Sequence, residues 1–297
     1  MRVKNLIIDG TNLEFRVFFI SKQIKMVNNA GEQISCVYRF LTTYKNLVDQ
    51  FNPDNVYCAW DRKLDRNSRN FRQELLADQY KAGRVKPPDV DEMYEQEIKL
   101  IEGLEMLGCK HMFPNALEAD DVVAWLATKL DGPNVIVSVD NDLLQLVNEK
   151  NSVYNLKKLI TLDNFLREIG VNIEHFKLYK AIKGDISDNI PGIPGFGTVR
   201  ARKLAANWKN INITESLKNI VERNLKLIDL NYGYTAQPEE VTSYENQFRY
   251  LTGLHGNIDK FKDYCEKNGF IEYLKRFNDW KHMFNRNKLV DLISAIT

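Results

Sequence analysis

Nine acidic residues stand where their type and spacing suit chemistry. Asp9 closes an apolar run, NLII; Asp61 closes a second, NVYCAW; Asp140 and Asp142 follow a third, NVIVSV. Glu118, Asp120 and Asp121 open the helical stretch LEADDVVAW, and Asp185 and Asp188 fall in KGDISDNIPG. Carboxylates gathered in one crevice repel one another and have raised pKa values unless something positive lies between them. All-oxygen ligation with no Cys or His partner suits hard Mg²⁺ or Mn²⁺ rather than zinc or copper. Several carboxylates hold two such ions about 3.5 to 4 Å apart, clamping the attacking and leaving oxygens of an in-line phosphoryl displacement. That chemistry is phosphodiester hydrolysis. A plainer role stays open for LEADD, since acids in a first helical turn favour the helix dipole. At about 100° per residue, Glu118 and Asp121 share a helix face and Asp120 points off it.

Charge elsewhere suits a polyanionic substrate. The 41 Lys and Arg nearly balance 40 Asp and Glu, so any grip on phosphates must come from local segregation. Residues 62–86 hold eight basic side chains (Arg62, Lys63, Arg66, Arg69, Arg72, Lys81, Arg84, Lys86) against Asp65, Glu74 and Asp78, and the sign reverses over 89–105. A basic stretch beginning one residue past a candidate metal ligand is placed to grip phosphates; a solvated charged loop is the alternative. A second candidate is PGIPGFG at 191–197, followed by Thr198 and a helical stretch with Arg200, Arg202, Lys203 and Lys209 and no acid. Such a glycine-bearing turn lets backbone amides approach a phosphate, and the helix N-terminus adds a favourable dipole. An ordinary helix-to-helix turn is the alternative there. No G-x-G-x-x-G follows the first strand, which argues against a dinucleotide site.

These residues need a scaffold. The Val- and Ile-rich runs at 3–8, 55–60 and 134–139 read as buried parallel strands, each running into an aspartate. Apolar residues at helical spacing predict helices over 35–51, 94–107 and 117–130. The alternation predicts an α/β domain with a mostly parallel central sheet flanked by helices, its ligand site beyond the carboxyl ends of the strands. After about residue 170 the strand signal fades, so the expected division is an α/β domain over 1–170 and a helical region over 171–297. Pro238 suggests a loop before a final helical segment at 244–296, whose aromatic residues are expected to be core. At 297 residues, 44% hydrophobic and 27% charged, the chain is long and apolar enough to bury a sizeable core. Cys36, Cys58, Cys109 and Cys265 stand far apart, which argues against a zinc site and fits a reducing cytoplasm. Asp9, Glu14 and Arg16 interrupt what would be a signal-peptide core, and no run approaches eighteen apolar residues, so neither secretion nor membrane insertion is expected.

Six segments stand in order: IIDGTNLEFR at 7–16, AWD at 59–61, YKAGR at 80–84, LEADDVVA at 117–124, SVDNDLLQL at 138–146 and KGDISDNIPGIPGFG at 183–197. In them the chain resembles the 5′ nuclease (flap endonuclease) family over roughly residues 3–209. The resemblance implies a PIN-like α/β core followed by a helix-hairpin-helix DNA-binding element. It assigns Asp9, Asp61, Glu118 and Asp120 to one Mg²⁺, and Asp140, Asp142, Asp185 and Asp188 to a second ion or its surroundings, with Asp121 nearby and Mn²⁺ able to substitute. Lys81 and Arg84 match the basic residues over the scissile phosphate, in an arch over 62–88 that admits a single-stranded 5′ end. Further DNA contacts are implied at Arg62, Arg69, Arg72, Tyr80 and Lys86. In the hairpin element they fall at Gly192, Gly195, Gly197, Thr198, Arg200, Arg202 and Lys203, where main-chain carbonyls can also hold K⁺.

The implied activity is flap endonuclease and 5′ to 3′ exonuclease cleavage near single-strand/duplex junctions, leaving a 5′ phosphate and a 3′ hydroxyl. Branched or 5′-flap DNA and RNA-primed duplex are the implied substrates, and primer and flap removal during replication, in ribonuclease H fashion, the implied role. No polymerase region follows in the sequence, so a free-standing, phage-encoded enzyme in the host cytoplasm is expected. No motif for a sliding clamp or a single-strand-binding protein supports such a partner, and residues 210–297 match no motif. Two alternatives remain open. A PIN-type ribonuclease shares the acidic crevice but typically lacks arch and hairpin, and a non-catalytic branched-DNA-binding protein sits poorly with a complete acid set. A haloacid-dehalogenase-type phosphatase needs an acid where Thr11 stands.

Overall fold

The computed structural model describes residues 1–62, 71–76, 79–83 and 88–284. Arg69, Arg84 and Lys86, expected in the arch, lie outside the described residues. The first half alternates strand and helix: β1 (Asn5–Asp9), α1 (Gly10–Ser21), α2 (Ser35–Phe51), β2 (Asn55–Ala59), α3 (Phe71–Leu76), α4 (Val90–Met106), β3 (Lys110–Met112), α5 (Ala119–Lys129), β4 (Asn134–Val137) and β5 (Asn151–Tyr154). β6 (Leu159–Ile160) and α6 (Phe165–Ile169) follow. The sheet order is β3-β2-β1-β4-β5-β6, parallel except for β6, which runs antiparallel to β5. Because the chain builds outward from β1 first through β2 and β3 and then through β4 and β5, the direction of winding switches between β1 and β4. In an open parallel sheet that switch leaves a crevice at the carboxyl ends. Asp9, the last residue of β1, stands at it.

Alternate strand residues supply two apolar layers. Ile7, Tyr57, Ala59 and Ile136 face one cluster, and Leu6, Ile8, Val56, Cys58, Val135 and Val137 face the other. The first layer is covered by α5 together with α7 (Ile173–Lys183), α8 (Thr198–Asn207), α9 (Glu215–Ile228), α10 (Leu230–Thr235) and α11 (Pro238–Leu251). The second is covered by α1, α2 and α4 with α12 (Ile258–Lys267) and α13 (Ile271–Lys275). Between α7 and α8 the chain makes a small hairpin of β7 (Gly184–Asp185) and β8 (Ile190–Pro191). Among the described residues no helix is long and apolar enough to cross a membrane.

Two local devices fix the sheet at its ends. At the carboxyl end, β1 passes into α1 with no intervening loop. A Cβ on Gly10 would lie 2.7 Å from Cys58 Sγ and 2.8 Å from the Ala59 carbonyl oxygen, so only glycine fits this junction. At the opposite end, four strands begin with in-register asparagines whose amides form a ladder. Asn55 donates to Asn5 (3.3 Å), Asn5 to Asn134 (2.8 Å) and Asn134 to Asn151 (2.8 Å). Each buried amide thereby meets a partner, as a buried polar group must.

The expected strands and helices of the first half are present with ends moved by a few residues. β3, β5 and β6 were not legible, because they are two to four residues long and KHM and NSVY mix polar with apolar residues. Pro238, expected in a loop, instead opens α11 at its first turn, where proline's missing N–H costs nothing. Of the helical segment expected over 244–296, the described part holds α11 to Leu251 and then α12 and α13, and residues 285–296 lie outside the described residues.

Candidate active site

Five acids reach one cavity of about 230 Å³, lined by Asp9, Asp61, Glu118, Asp120, Asp140 and Lys81, with Thr11, Asn12 and Phe15 completing the wall. Three of the acids are held in place by hydrogen bonds, mostly from neighbouring elements. Asp9 caps α1, accepting from the Asn12 backbone N–H (3.2 Å), and its second oxygen accepts from the Ser138 hydroxyl (2.7 Å). The Asp61 backbone N–H donates to Thr11 Oγ1 (2.7 Å), while its carboxylate accepts from the Ala119 N–H (2.7 Å) and so caps α5 from outside. The Asp140 N–H donates to Ser138 Oγ (3.0 Å), and its Oδ1 accepts from the Asp142 N–H (2.8 Å). Ser138 therefore bridges two acids on neighbouring strands.

The acids titrate apart. Burial pushes Asp9 up to about 7, outweighing its hydrogen bonds and reinforced by the charges of Asp61 and Asp140. Burial, then Asp9 and Asp140, raise Asp120 well above the usual carboxylate range. Asp61 is raised by desolvation and then by Glu118. Glu118 goes the other way: burial opposes it, but Lys81 and Arg72 hold it at about 2. Its carboxylate accepts from Lys81 Nζ and, at 3.0 Å, from the Tyr80 hydroxyl. Lys81 itself has φ +56°, unusual for a residue with a side chain, and its N–H donates to the Asp188 carbonyl (3.1 Å). That bond ties the base of the basic segment to the 184–191 hairpin.

Asp142 and Asp185 form a second group, joined to the first through Asp140. Lys180 stands between them, 2.5 Å from Asp142 and 2.6 Å from Asp185. Burial raises Asp142 to about 6 against the pull of Lys180, whereas Lys180 and Ser187 hold Asp185, despite burial, at about 2. Lys180, Ser138, Asn12 and Thr11 were missed by sequence reasoning as site residues. The one signal for Lys180 was a lysine on a helix five residues before an aspartate of the acid set.

Four expected site residues, Asp121, Arg72, Tyr80 and Arg202, make other contacts. Asp121, expected among the metal ligands, is fully buried and accepts both Nη groups of Arg72 at 2.7 Å. Arg72, expected on DNA, is 2% exposed and also donates from Nε to the Leu227 carbonyl (3.1 Å). The helix-face expectation failed for a local reason. Glu118 is the cap residue with extended backbone, φ −118° and ψ 162°, so counting helical turns from it misplaces its neighbours. Asp120 is the one that faces the cavity with Glu118, and Asp121 turns inward. Tyr80, another expected DNA contact, is buried with its hydroxyl on Glu118.

In the second half, α7 and α8 pack together across the β7–β8 hairpin. A Cβ on Gly192 would lie 2.1 Å from the Lys183 carbonyl oxygen, so the hairpin closes only with glycine there. Gly195 has φ +82°, and Gly197 caps α8. Thr198, Arg200 and Lys203 are exposed, Arg200 donating to the Gly195 carbonyl (3.1 Å). Arg202 is turned inward, to the Ile169 carbonyl and over the Tyr179 ring. Arg62 is exposed and lies over the Phe113 ring.

A family model of the 5′-3′ exonuclease N-terminal resolvase-like domain matches residues 4–170. A 5′-3′ exonuclease of Bacillus subtilis is 35% identical over 219 residues, 70% of this chain and 72% of that protein. DNA polymerase I of Streptococcus pneumoniae is 35% identical over 212 residues, 68% of this chain but only 23% of that longer protein. Among solved structures, the 5′-exonuclease of bacteriophage T5, determined with divalent metal ions (zinc), superimposes with a TM-score of 0.65 at 21% identity, over 84% of this chain and 99% of that one. Flap endonuclease-1 from Methanococcus jannaschii gives a TM-score of 0.51 at 17% identity, over 96% of this chain and 93% of that one. These two likenesses are of fold: a mostly parallel sheet with helices on both faces and a helical C-terminal region. With a family match over more than half its length and a relative sharing 35% identity, the chain belongs to the 5′-3′ exonuclease family.

Proposed function

We propose that the cavity at the β1/β4 switch is the active centre of a divalent-metal-dependent, structure-selective 5′ nuclease acting as flap endonuclease and 5′ to 3′ exonuclease. The observation that carries this reading is the convergence of five carboxylates and Lys81 on one cavity. The donor set is all oxygen and fits hard divalent cations, Mg²⁺ foremost with Mn²⁺ as substitute. Asp9 and Asp120 are raised first by burial and then by neighbouring acids, and a cation held among them would favour their charged forms. Asp9, Asp61, Glu118, Asp120 and Asp140 would hold such a metal, whose chemistry there would be to polarise a phosphoryl oxygen of the substrate and to ease deprotonation of water near neutral pH. Asp140, Asp142, Asp185 and Asp188 are the proposed surroundings of a second ion.

The chain's own residues do the rest. Ser138 and the Asn12 and Ala119 amides hold Asp9 and Asp61 in place before substrate arrives. Lys81, anchored on Glu118, offers an ammonium to a phosphate entering the cavity, where a cation stabilises developing charge. Arg200 and Lys203, exposed beside the N-terminus of α8, suit contacts to duplex phosphates that carry no sequence information. Residues 1–170 are thus the proposed cutting unit and 171–297 the gripping unit. The hairpin is proposed to take K⁺. Branched, 5′-flap and RNA-primed duplexes are the proposed substrates, cut to leave a 5′ phosphate and a 3′ hydroxyl, in the cytoplasm during replication.

The test is a substrate panel: end-labelled 5′-flap duplex, blunt duplex, single strand and an RNA strand, each with Mg²⁺ or with EDTA. Cuts near the flap junction that vanish with EDTA are expected. Cleavage of RNA without regard to branching would replace the reading with a PIN-type ribonuclease, and intact flap binding without cleavage would leave a binding protein.

A further inference from the structure

Residues beyond 210 carry no recognisable motif, yet α11 grips the segment that leads into the acid pocket. Between β3 and α5, residues 113–118 run straight into Glu118 and Asp120, and side chains from elsewhere hold this backbone. The Asn115 N–H donates to both carboxylate oxygens of Glu240 (3.1 and 3.0 Å), and the Ala116 N–H donates to Glu240 Oε1 (2.6 Å). The Phe113 N–H donates to Gln247 Oε1 (2.9 Å), and Gln247 Nε2 returns a bond to the Phe113 carbonyl (2.8 Å). Further along, the Glu118 N–H goes to Asp121 (3.1 Å) and the Ala119 N–H to Asp61 (2.7 Å).

Glu240 and Gln247 are seven residues apart, two turns of one helix, with Tyr244 between them on the same face. Glu240 is 0% exposed. A buried carboxylate is costly unless hydrogen bonds satisfy it, and here backbone donors of a single segment do so. The helix that carries it is fixed in turn: Phe248 rings against Tyr57 on β2 and Trp125 on α5, and Tyr244 against Trp125. The link therefore runs from the C-terminal region to the metal-facing acids without any residue of α11 lining the cavity.

We propose that Glu240, assisted by Gln247, is a positioning residue for the acid pocket: by fixing the backbone of 113–116 it sets where Glu118 and Asp120 stand relative to Asp9, Asp61 and Asp140. This rests on the reading of the cavity as a divalent-metal site. Groups hydrogen-bonded directly to metal ligands are typically worth about 10- to 100-fold in metal affinity; Glu240 acts one step further out, through the Asn115 and Ala116 backbone, and is expected at the low end of that range.

The experiment compares the full-length chain with Glu240→Gln, Glu240→Ala and Gln247→Ala. Mn²⁺ affinity is measured by calorimetry without DNA, the Mg²⁺ concentration for half-maximal flap cleavage is measured beside it, and thermal midpoints are recorded. Glu240→Ala is expected to weaken Mn²⁺ binding about 10-fold or more and to raise the half-saturating Mg²⁺ in parallel, with the saturated rate recovering to within several-fold. Glu240→Gln, which keeps one oxygen acceptor, is expected in between, and Gln247→Ala shifts the same way by less. Should Glu240→Ala not fold, the other two variants carry the test. Lowered thermal midpoints with unchanged Mn²⁺ affinity and Mg²⁺ dependence in Glu240→Gln and Gln247→Ala would make the contact merely structural and overturn the proposal. A wild-type chain that binds no Mn²⁺ would instead overturn the metal-site reading on which it rests.

Discussion

Glu118 and Asp120 are two residues apart and both buried, yet titrate in opposite directions, because burial, Asp9 and Asp140 together raise Asp120 while Lys81 and Arg72 overcome burial at Glu118. The difference has a measurable consequence for the metal-free protein. Asp9 (about 7) and Asp142 (about 6) have folded pKa values above their unfolded ones, so between about pH 4 and pH 7 the native state binds protons that the unfolded state does not. Their contribution to stability therefore falls as pH rises through that window. Glu118 and Asp185, held at about 2, contribute stability that is present above about pH 4 and is lost only on stronger acidification. Thermal unfolding in EDTA should accordingly give a higher midpoint at pH 5.5 than at pH 8. Added Mg²⁺ should stabilise more at pH 8, where it does not compete with those protons. A midpoint in EDTA that climbs from pH 5.5 to pH 8 would mean that the protons on Asp9 and Asp142 are outweighed by groups of opposite sign, such as buried His111, whose pKa is lowered to about 4 by burial.

At the scale of elements, the Arg72–Asp121 pair joins three pieces: α3 through Arg72, the first turn of α5 through Asp121, and the end of α9 through the Leu227 carbonyl. Removing one partner of a buried pair leaves an uncompensated charge, which costs about 3–5 kcal/mol. Arg72→Met should lower the unfolding free energy from denaturant titration by that order, Arg72→Met/Asp121→Leu should recover much of the loss, and a purely additive cycle would mean that the pair is not coupled. The same pair marks where sequence reasoning stops. The strands at 3–8, 55–60 and 134–139 were legible because a strand buried on both faces is a continuous apolar run. The acids at their ends were legible because each run stops on an aspartate. Arg72 and Asp121 were misread because residue type does not distinguish an arginine on DNA from one paired inside the fold. Nothing local to Arg72 names its partner 49 residues away. Glu240 was invisible for a related reason: one of three glutamates on a polar helix, it acquires meaning only from the backbone it meets, 124 and 125 residues earlier.

For the whole molecule, the acid pocket with its own Lys81 and the exposed Arg200 and Lys203 of α8 are carried by different elements. The acids line the sheet's switch point, and Arg200 and Lys203 are exposed on α8, beyond a hairpin tied to Lys81 through Asp188. Cutting and gripping should therefore be separable. Arg200→Ala/Lys203→Ala is expected to weaken binding to duplex of any sequence and to reduce the slope of log affinity against log salt by about 2, leaving the cleavage position unchanged. Equal salt slopes for variant and wild type would remove α8 from the phosphate contacts. The most direct test of the central claim, that the acid pocket hydrolyses phosphodiesters at a 5′-flap junction, is single-turnover cleavage of an end-labelled 5′-flap duplex by wild type and Asp120→Asn in Mg²⁺, with flap affinity measured alongside in EDTA. The account predicts cuts near the junction for wild type, a loss of roughly 10³-fold or more in rate for the variant, equivalent to about 4 kcal/mol of barrier, and affinity unchanged within about threefold. Asp120→Asn cutting at the wild-type rate would contradict it.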